Sequence, residues 1–347
     1  QTPNYRQISR DVGAKWLVAG PDGKTPFDVE NEKMVAAGKK PMKKYTFTSD
    51  KFRYSMGPVF YRGRLDGTAR VLVVGQDPST DEAMVHRTMV GGTGQKIQSF
   101  LNQIGVKKSY LILNTFAYGI YEQVDAFTDE LATQSPISEH RNSLIEHAIE
   151  TNQIDLIVSV GSGAHTSVKN WLDAKHGGKM PTSIKWVKTL HPGSAAFGFD
   201  PNNPDAPITD NAELQKVMAS FTAAWKSVWD ERKKNSKFLP LDKGAKPQGS
   251  KYFYSSNEIP FRDLPYGIEL GIGRGGTKTE RDGTTRVQFR SPNGTRLEAP
   301  HVGKPKTVSR ALSGIQLADG DVAWEPSRTN PTAFDPGPSA DWVSTFL

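Results

Sequence analysis

Residues 71–78 read Val-Leu-Val-Val-Gly-Gln-Asp-Pro, and they indicate the fold class. Four adjacent apolar residues predict a buried β-strand over residues 71–74, and the Gly and Pro that follow predict its end. An uninterrupted apolar strand is typical of a parallel sheet whose two faces are both covered by helices. These residues therefore favour an α/β fold.

Three more apolar runs follow, with helical patterns between them. Strands are predicted over residues 110–113, 154–160 and 184–190, and helices over residues 95–104, 138–151 and 162–174. With right-handed crossovers, the predicted fold is a three-layer αβα sandwich around a central four-stranded parallel sheet. A last helix carries apolar residues at steps of three and four between Leu214 and Trp229, which indicates core packing.

The composition excludes several kinds of chemistry. The 347 residues include 44 Lys and Arg against 37 Asp and Glu, a formal charge of +7, and no Cys. Disulfides, thiolate zinc sites, iron–sulfur clusters and cysteine nucleophiles are therefore impossible. No apolar run approaches the ~20 residues of a membrane span, and no secretion signal is recognisable. We expect a soluble, cytoplasmic protein without membrane contact.

Three regions are predicted along the chain. Residues 1–60 form a basic N-terminal extension packed on or beside the core, and the lysine run at residues 39–44 is either a nucleic-acid contact or a solvated loop. Residues 61–236 form the catalytic α/β domain. Residues 237–347 are rich in Gly and Pro and form a small β appendage of open role, with a strand over residues 285–290 between two turn signals.

Polar residues follow every predicted strand, at the edge where open parallel sheets bind their ligands. In strand order they are Gln76, Asp77 and Pro78, then Asn114, then Gly161, Ser162 and Gly163, and last His191, Gly193 and Ser194. Each has an ordinary alternative, since Asp caps helices, Asn ends strands and His-Pro makes turns. Packing gives no reason for an acid, an amide and an imidazole to share one edge, so together they predict a site.

Three of these motifs, in this order, resemble the signatures of the uracil-DNA glycosylase superfamily. They are Val-Val-Gly-Gln-Asp-Pro at 73–78, Leu-Ile-Leu-Asn at 111–114 and Leu-His-Pro-Gly-Ser at 190–194. Gly-Gln-Asp-Pro is the family 1 form, whereas residues 87–94 and 160–164 are more similar to families 4 and 5. Those families typically carry a cysteine-bound cluster, which this chain cannot form. The resemblance thus implies a divergent branch without a cofactor.

The resemblance implies a base excision repair enzyme that hydrolyses the bond between uracil and deoxyribose without a metal. Asp77 would orient the attacking water and stabilise the positively charged sugar. His191 would donate a hydrogen bond to uracil O2 as negative charge develops there. The Asn114 amide would read N3–H and O4, and thereby reject cytosine, while Gln76 and Pro78 would complete the base pocket.

By the same resemblance, the nucleotide is rotated out of the duplex and its phosphates are held after the third and fourth strands. The residues expected there are Ser162, Gly163, His165, Gly193, Ser194 and Ala195. Ser162 opens a helix whose N-terminus favours anions, although capping of that helix would also explain it.

Two base-pocket positions depart from the superfamily pattern. Ser79 stands where family 1 has a tyrosine that excludes thymine. Another group fills this space, or the pocket admits 5-substituted uracils, or the loop at residues 79–82 is reshaped. Met89 stands where an aromatic side chain stacks on the base, with Phe100 and Phe116 as alternatives.

A third departure concerns opening of the duplex. Ala195 stands where relatives usually carry a large apolar wedge, and a methyl group cannot fill the gap left by a rotated base. Phe197, another region of the chain or the capture of already exposed bases would replace the wedge. The expected partner is therefore uracil-containing DNA that is single-stranded or carries U·G pairs, bound by a monomer.

Two other classes of function compete with this interpretation. A nucleic-acid-binding protein with weak catalysis would have no need for Asp77, Asn114 and His191 together. Another glycoside hydrolase would need two carboxylates beside the bond, and only one is suitably placed. The glycine-rich residues 91–96 fail the spacing of a nucleoside triphosphate loop, which excludes that activity.

Overall fold

The computed structural model describes residues 3–36, 51–54, 58–79, 82, 86–120, 125–193, 212–245 and 247, and beyond them five short strand segments. Its helices are α1 (Tyr5–Lys15), α2 (Pro26–Ala36), α3 (Gly92–Gln103), α4 (Asp125–Thr133), α5 (Ser135–Thr151), α6 (Ser162–His176) and α7 (Ala212–Lys234). The strands of the main sheet are β1 (Tyr61–Gly63), β2 (Val71–Gly75), β3 (Tyr110–Asn114), β4 (Leu156–Val160) and β5 (Lys185–Thr189).

The main sheet has the order β1-β3-β2-β4-β5. β2, β3, β4 and β5 are parallel, with Val71 opposite both Tyr110 and Leu156, and Leu156 opposite Lys185. The chain moves from β2 to β3 on one side and then crosses back to β4 on the other. The direction of winding thus reverses between β2 and β4, which is where open α/β sheets form their ligand crevice.

The αβα sandwich and its four parallel strands are confirmed, and the structure adds an antiparallel fifth strand. β1 pairs with β3, with Tyr61 opposite Leu113. The sequence Tyr-Arg-Gly gave no strand signal because its central residue is charged. Arg62 is nevertheless buried, since its guanidinium donates to the Met89 carbonyl, to Gln98 and to the Tyr110 hydroxyl.

Alternate residues of β2 face the two helical layers. Val71 and Val73 belong to a buried cluster with residues of α3 and α7, including Phe100, Phe221 and Val228. Leu72 and Val74 belong to the opposite cluster, with residues of α5 and α6 that include Ile145, Val168 and Trp171. Burial on both faces explains the unbroken apolar run of this strand, since each such side chain stabilises the fold by about 1.5–3 kcal/mol.

The N-terminal region packs on the core through two helices, α1 and α2, and the sequence patterns did not predict these helices. A third buried cluster joins Tyr5, Trp16 and Phe27 to Phe116 and Phe127. The Trp16 indole N–H also donates to Glu130 Oε2 at 2.5 Å. The lysine run at 39–44 lies outside the described residues.

The core continues past α7, beyond the boundary expected at residue 236. Phe238 and Leu239 are buried in the cluster of α3 and α7. Asp242 accepts backbone hydrogen bonds from Lys107, Lys108 and Ser109, just before β3. The segment from Phe238 to Asp242 therefore packs with the α/β domain.

The C-terminal region contributes short antiparallel pairs to the described residues. β7 (Gln288–Arg290) pairs with β6 (Glu269–Leu270) and β8 (Arg296–Glu298). β9 (Trp324–Pro326) pairs with β10 (Phe334–Pro336). β7 lies within the strand predicted at 285–290, and the turn signals beside it lie outside the described residues.

Candidate active site

The predicted site residues follow the carboxyl ends of the four parallel strands. Gln76, Asp77 and Pro78 follow β2, Asn114 ends β3, Ser162 and Gly163 open α6 after β4, and His191 and Gly193 follow β5. Gly75 and Asn114 are register partners in the parallel pair of β2 and β3. The sheet therefore brings these motifs to one edge, around the crevice between β2 and β4.

Asp77 is a half-buried carboxylate held by its neighbours. Its Oδ2 accepts a hydrogen bond from the Ile120 backbone N–H at 2.9 Å, and its Oδ1 accepts one from Gln76 Nε2 at 3.3 Å. Ile120 itself bridges to Phe52 in an antiparallel contact, so the donor is part of the folded core. The carboxylate is thus oriented before any substrate binds, as an electrostatic role requires.

Asn114 is buried at the end of β3. The residue is 9% exposed, and within the described residues its Nδ2 makes no hydrogen bond. A buried N–H donor without an acceptor costs about 1–3 kcal/mol. Such a group is stabilised once a ligand supplies the acceptor, which is the chemistry expected of a base-reading amide.

Gly75 provides the space in which Asn114 and Met89 approach β2. A Cβ atom at this position would collide with both the Met89 Cε and the Asn114 Oδ1. Only glycine leaves room for the two side chains at this point of the strand end. Met89, Gly75 and Asn114 therefore form one contiguous patch.

Thr115 connects the end of β3 to the end of β2 and to the start of α6 by hydrogen bonds. Its hydroxyl lies 2.9 Å from the Gly75 carbonyl, 2.8 Å from the Ser167 hydroxyl and 3.4 Å from the Gly163 carbonyl. Its backbone N–H also donates to the Gly75 carbonyl at 2.9 Å. The ends of β2 and β3 and the first turn of α6 are thus fixed relative to one another.

His191 is placed by two glycines. Gly161 has a φ of 87°, which favours glycine, and a Cβ there would lie 3.2 Å from the His191 Cβ. The Gly193 backbone N–H donates to His191 Nδ1 at 3.1 Å. Because Nδ1 accepts this bond, the hydrogen of the neutral imidazole is assigned to Nε2, which makes Nε2 a donor.

The loop that carries His191 also contacts α3, through Lys96. Its ammonium donates to the Pro192 carbonyl at 3.4 Å, and burial lowers the pKa of Lys96. A side chain that is partly withdrawn from water acts as a bridge between the helix and the loop. Lys96 lies in the glycine-rich stretch for which the sequence excluded a nucleotide loop.

Met89 adopts a left-handed backbone conformation, with a φ of 51°. It is 6% exposed and belongs to the same buried cluster as Phe100, while Phe116 lies in a second cluster. The rings of Phe100 and Phe116 pack on Phe221 and Phe52. All three side chains are core residues, and Met89 is the one whose Cε lies next to Gly75.

Glu82 is a site-region residue that the sequence did not single out. It is 6% exposed, and its carboxylate accepts backbone hydrogen bonds from Ser79, Val90 and Gly91. Acidic residues are usually exposed, so no local pattern distinguishes this one. Ser79 itself is exposed, and the buried Pro78 lies with its carbonyl against Gly119.

Of the residues predicted to hold phosphates, Ser162 and Gly163 lie at the start of α6. Ser162 is the first residue of α6, and a Cβ on the buried Gly163 would lie 2.9 Å from Gln76 Oε1. Ser194 and Ala195 lie outside the described residues. The α6 N-terminus thus adjoins the Asp77 motif directly.

His165 faces into the fold, which does not support its predicted phosphate contact. Its Nε2 lies 3.1 Å from the Ser159 carbonyl and 3.0 Å from the Thr189 carbonyl, so this nitrogen must be the donor. Burial lowers the pKa of His165 against the raising effect of these two bonds. A neutral ring of this tautomer has no second donor for a phosphate oxygen.

The strands and motifs that form this edge of the sheet lie within a stretch that matches a known protein family. A family model described as the uracil DNA glycosylase superfamily matches residues 62–238, about half of the chain. The chain belongs to the uracil DNA glycosylase superfamily. No curated protein matches it.

Membership of the uracil DNA glycosylase superfamily assigns the chain to glycosidases that act on DNA in repair. Among the described residues, no group of three or more His, Asp or Glu side chains is arranged to hold a metal ion. In the same part of the chain, no helix has the length and hydropathy needed to cross a membrane.

Proposed function

We propose that the protein hydrolyses the N-glycosidic bond of uracil in DNA and leaves an abasic site. The observation that carries this proposal is the buried Asn114 carboxamide, whose Oδ1 lies near Gly75 and whose Nδ2 makes no hydrogen bond to the described residues. An amide can accept from uracil N3–H and donate to O4 at the same time, whereas cytosine presents the opposite pattern. Uracil thus satisfies the orphaned donor, and cytosine leaves it unpaired.

Asp77 supports the sugar half of the reaction. Breaking the C1′–N1 bond leaves positive charge on the deoxyribose, and a fixed carboxylate stabilises that charge without reorganisation. The hydrogen bond from Ile120 keeps Oδ2 in place. In this proposal the carboxylate also orients the water that adds to C1′ as the bond breaks.

His191 supports the base half of the reaction. Negative charge develops on the leaving uracil, and a neutral imidazole that donates from Nε2 can hydrogen-bond to O2. The Gly193 N–H on Nδ1 is consistent with this tautomer. No protonated imidazole is required at the start of the reaction.

A labelled oligonucleotide with one deoxyuridine tests the proposal. After incubation, alkali cleaves the abasic product, and Asp77→Asn or His191→Ala should slow its formation by about 10²–10⁴-fold. Asp66→Asn and His147→Ala change the same residue types at exposed positions and serve as matched controls. No uracil release by the wild type, or unchanged rates in Asp77→Asn, would contradict the proposal. DNA binding without release would favour the nucleic-acid-binding alternative.

The same assay compares DNA forms. We expect release from single-stranded DNA and from U·G pairs to exceed release from well-stacked U·A duplex, because Ala195 is too small to act as a wedge. Rotating a paired base out of the stack costs a few kcal/mol. Equal rates on all three substrates would argue against this preference.

A further inference from the structure

Glu82 is a buried carboxylate that the proposed mechanism does not use. Its Oε2 accepts the Ser79 N–H at 2.9 Å, and its Oε1 accepts the N–H groups of Val90 at 3.0 Å and Gly91 at 3.1 Å. A carboxylate withdrawn from water is tolerated only where donors of this kind satisfy it. One side chain therefore ties the end of the Asp77 motif to the loop that carries Met89.

The peptide unit between Met89 and Val90 is held from both sides. Its carbonyl oxygen accepts a hydrogen bond from Arg62 Nη1 at 2.7 Å, and its N–H donates to Glu82. Arg62 is in turn fixed by Gln98 and the Tyr110 hydroxyl. Two buried side chains of opposite charge thus set the orientation of a single peptide unit.

This double clamp accounts for the backbone of Met89. A left-handed φ in a residue other than glycine costs on the order of 1–3 kcal/mol and persists only where the surroundings impose it. The conformation brings the Met89 Cε against Gly75, next to the Asn114 amide. Without the clamp, Met89 would be free to return to an ordinary conformation and leave this position.

We propose that Glu82 is a positioning residue for base binding, which holds Met89 in the left-handed conformation against Gly75 and Asn114. Glu82 touches no substrate and acts through Met89. The inference rests on the proposed function, because it requires Met89 to contact the uracil ring, as the resemblance to the superfamily implies. A base contact made equally before and during bond breaking affects KM rather than kcat.

Glu82→Ala should therefore raise KM for single-stranded uracil DNA about tenfold, comparable to weakening one base-stacking contact. The same variant should change kcat by no more than about threefold. Glu82→Gln keeps an oxygen that can accept from the Val90 and Gly91 N–H groups, but its amide group presents a donor to the Ser79 N–H. The KM of Glu82→Gln should therefore lie between those of the wild type and Glu82→Ala. An unchanged KM in Glu82→Ala overturns the proposal.

A double variant tests whether Glu82 acts through Met89. Met89→Ala alone should raise KM to a similar degree, and Glu82→Ala combined with Met89→Ala should have the KM of Met89→Ala. Non-additivity of this kind is expected when one residue works only through another. Additive increases in KM would show independent action and would overturn the inference.

Glu146 supplies the matched control for loss of a partly buried carboxylate. It accepts a hydrogen bond from the Trp171 indole at 2.6 Å and lies 3.2 Å from His176 Nε2, between α5 and α6. Glu146→Ala should lower stability and leave KM unchanged. A raised KM in this variant would show that the effect is general destabilisation.

Amide hydrogen exchange tests the clamp without catalysis. The Val90 and Gly91 amides should exchange faster in Glu82→Ala than in the wild type, and at the wild-type rate in Glu146→Ala. If the wild type released no uracil, the proposed function would fail, while exchange would still report whether Glu82 holds the loop. Unchanged exchange at Val90 and Gly91 contradicts the inference.

Discussion

Gly75 shows how one missing side chain shapes the site. Its hydrogen lies where a Cβ would collide with Met89 Cε and Asn114 Oδ1. Its carbonyl accepts from both the N–H and the hydroxyl of Thr115, so the residue cannot move away easily. The strand end is therefore fixed while two side chains converge on it.

Gly75→Ala should impair function more than stability. The flexible Met89 side chain can yield to the new methyl group, but the buried Asn114 amide must shift, and overpacking of this kind costs about 1–3 kcal/mol. We expect uracil release to fall by about 10²-fold, because small displacements of positioned groups reduce rates strongly. Release assays and urea unfolding measure the two effects.

Gly177→Ala is the control for this substitution. Nothing lies within 4 Å of a Cβ at Gly177, although its φ of 58° carries a backbone cost. It should therefore lower stability by about 1 kcal/mol and leave uracil release unchanged. Equal activities of the two variants would show that space at Gly75 does not matter.

At the scale of single residues, sequence motifs predicted the polar side chains that directly follow strands. They did not predict side chains whose role depends on hydrogen bonds to other parts of the chain. Asp77, Asn114 and His191 were predicted because strand ends are recognisable locally. Glu82 was missed, since its partners Val90 and Gly91 lie eight and nine residues further along the chain and no local pattern links them to it. The inward orientation of His165 likewise depends on carbonyls of two different strands.

At the scale of elements, the Thr115 hydroxyl joins the ends of β2 and β3 to α6. The Ser167 hydroxyl and the Gly163 carbonyl both belong to α6, whose N-terminus adjoins Gln76. The Thr115 and Ser167 hydroxyls and the Gly163 carbonyl are buried, so leaving one of them unpaired costs more free energy than its hydrogen bond contributes. The relative position of the Asp77 and Ser162 motifs depends on this contact.

Thr115→Val keeps the shape of the side chain and removes its hydroxyl. The buried Ser167 hydroxyl then loses a partner, and we expect the free energy of unfolding to fall by about 1–3 kcal/mol. Denaturant unfolding measures this change. Thr222→Val removes an exposed hydroxyl that donates to the Met218 carbonyl of its own helix, and it should change stability little. Equal denaturation midpoints for Thr115→Val and Thr222→Val would show that the Thr115 hydroxyl does not stabilise the contact between the strand ends and α6.

The predicted elements differ from the observed ones where long-range contacts override local signals. The four parallel strands begin and end within two residues of the predicted ones. β2 is an unbroken apolar run, whereas β5 contains two lysines and was recognised from the apolar residues around them. β1 was missed because Arg62 lies at its centre, and α4 because its pattern is short. The helix predicted at 95–104 begins three residues earlier, at Gly92.

At the scale of the whole molecule, Asp242 fastens the segment after α7 to the start of β3. Burial tends to raise its pKa, but the Ser109 hydroxyl and the N–H groups of Lys108, Ser109 and Lys107 outweigh this and lower it. A carboxyl whose pKa is lowered by folding stabilises the protein above its unfolded pKa of about 3.9. This stability is lost as the pH falls through the lower native value.

Asp242→Asn should therefore lower Tm by roughly 3 °C at pH 7. The difference in Tm from the wild type should narrow below about pH 4, where the carboxyl is protonated first in the unfolded chain and, at lower pH, in the native protein. Thermal unfolding from pH 7 to pH 3 measures it, with Asp173→Asn, at an exposed pair with Lys169, as control. A difference that is constant with pH would show that the charge of Asp242 contributes nothing.

The sequence by itself determined the αβα layers, the parallel strands and the order of the site motifs, because apolar periodicity and strand ends are local properties. Only the tertiary structure revealed the edge strand β1, the helices α1 and α2, and the left-handed backbone of Met89 between Arg62 and Glu82. These features depend on partners distant in the chain. Burial of a charge becomes favourable only when those partners are assembled around it.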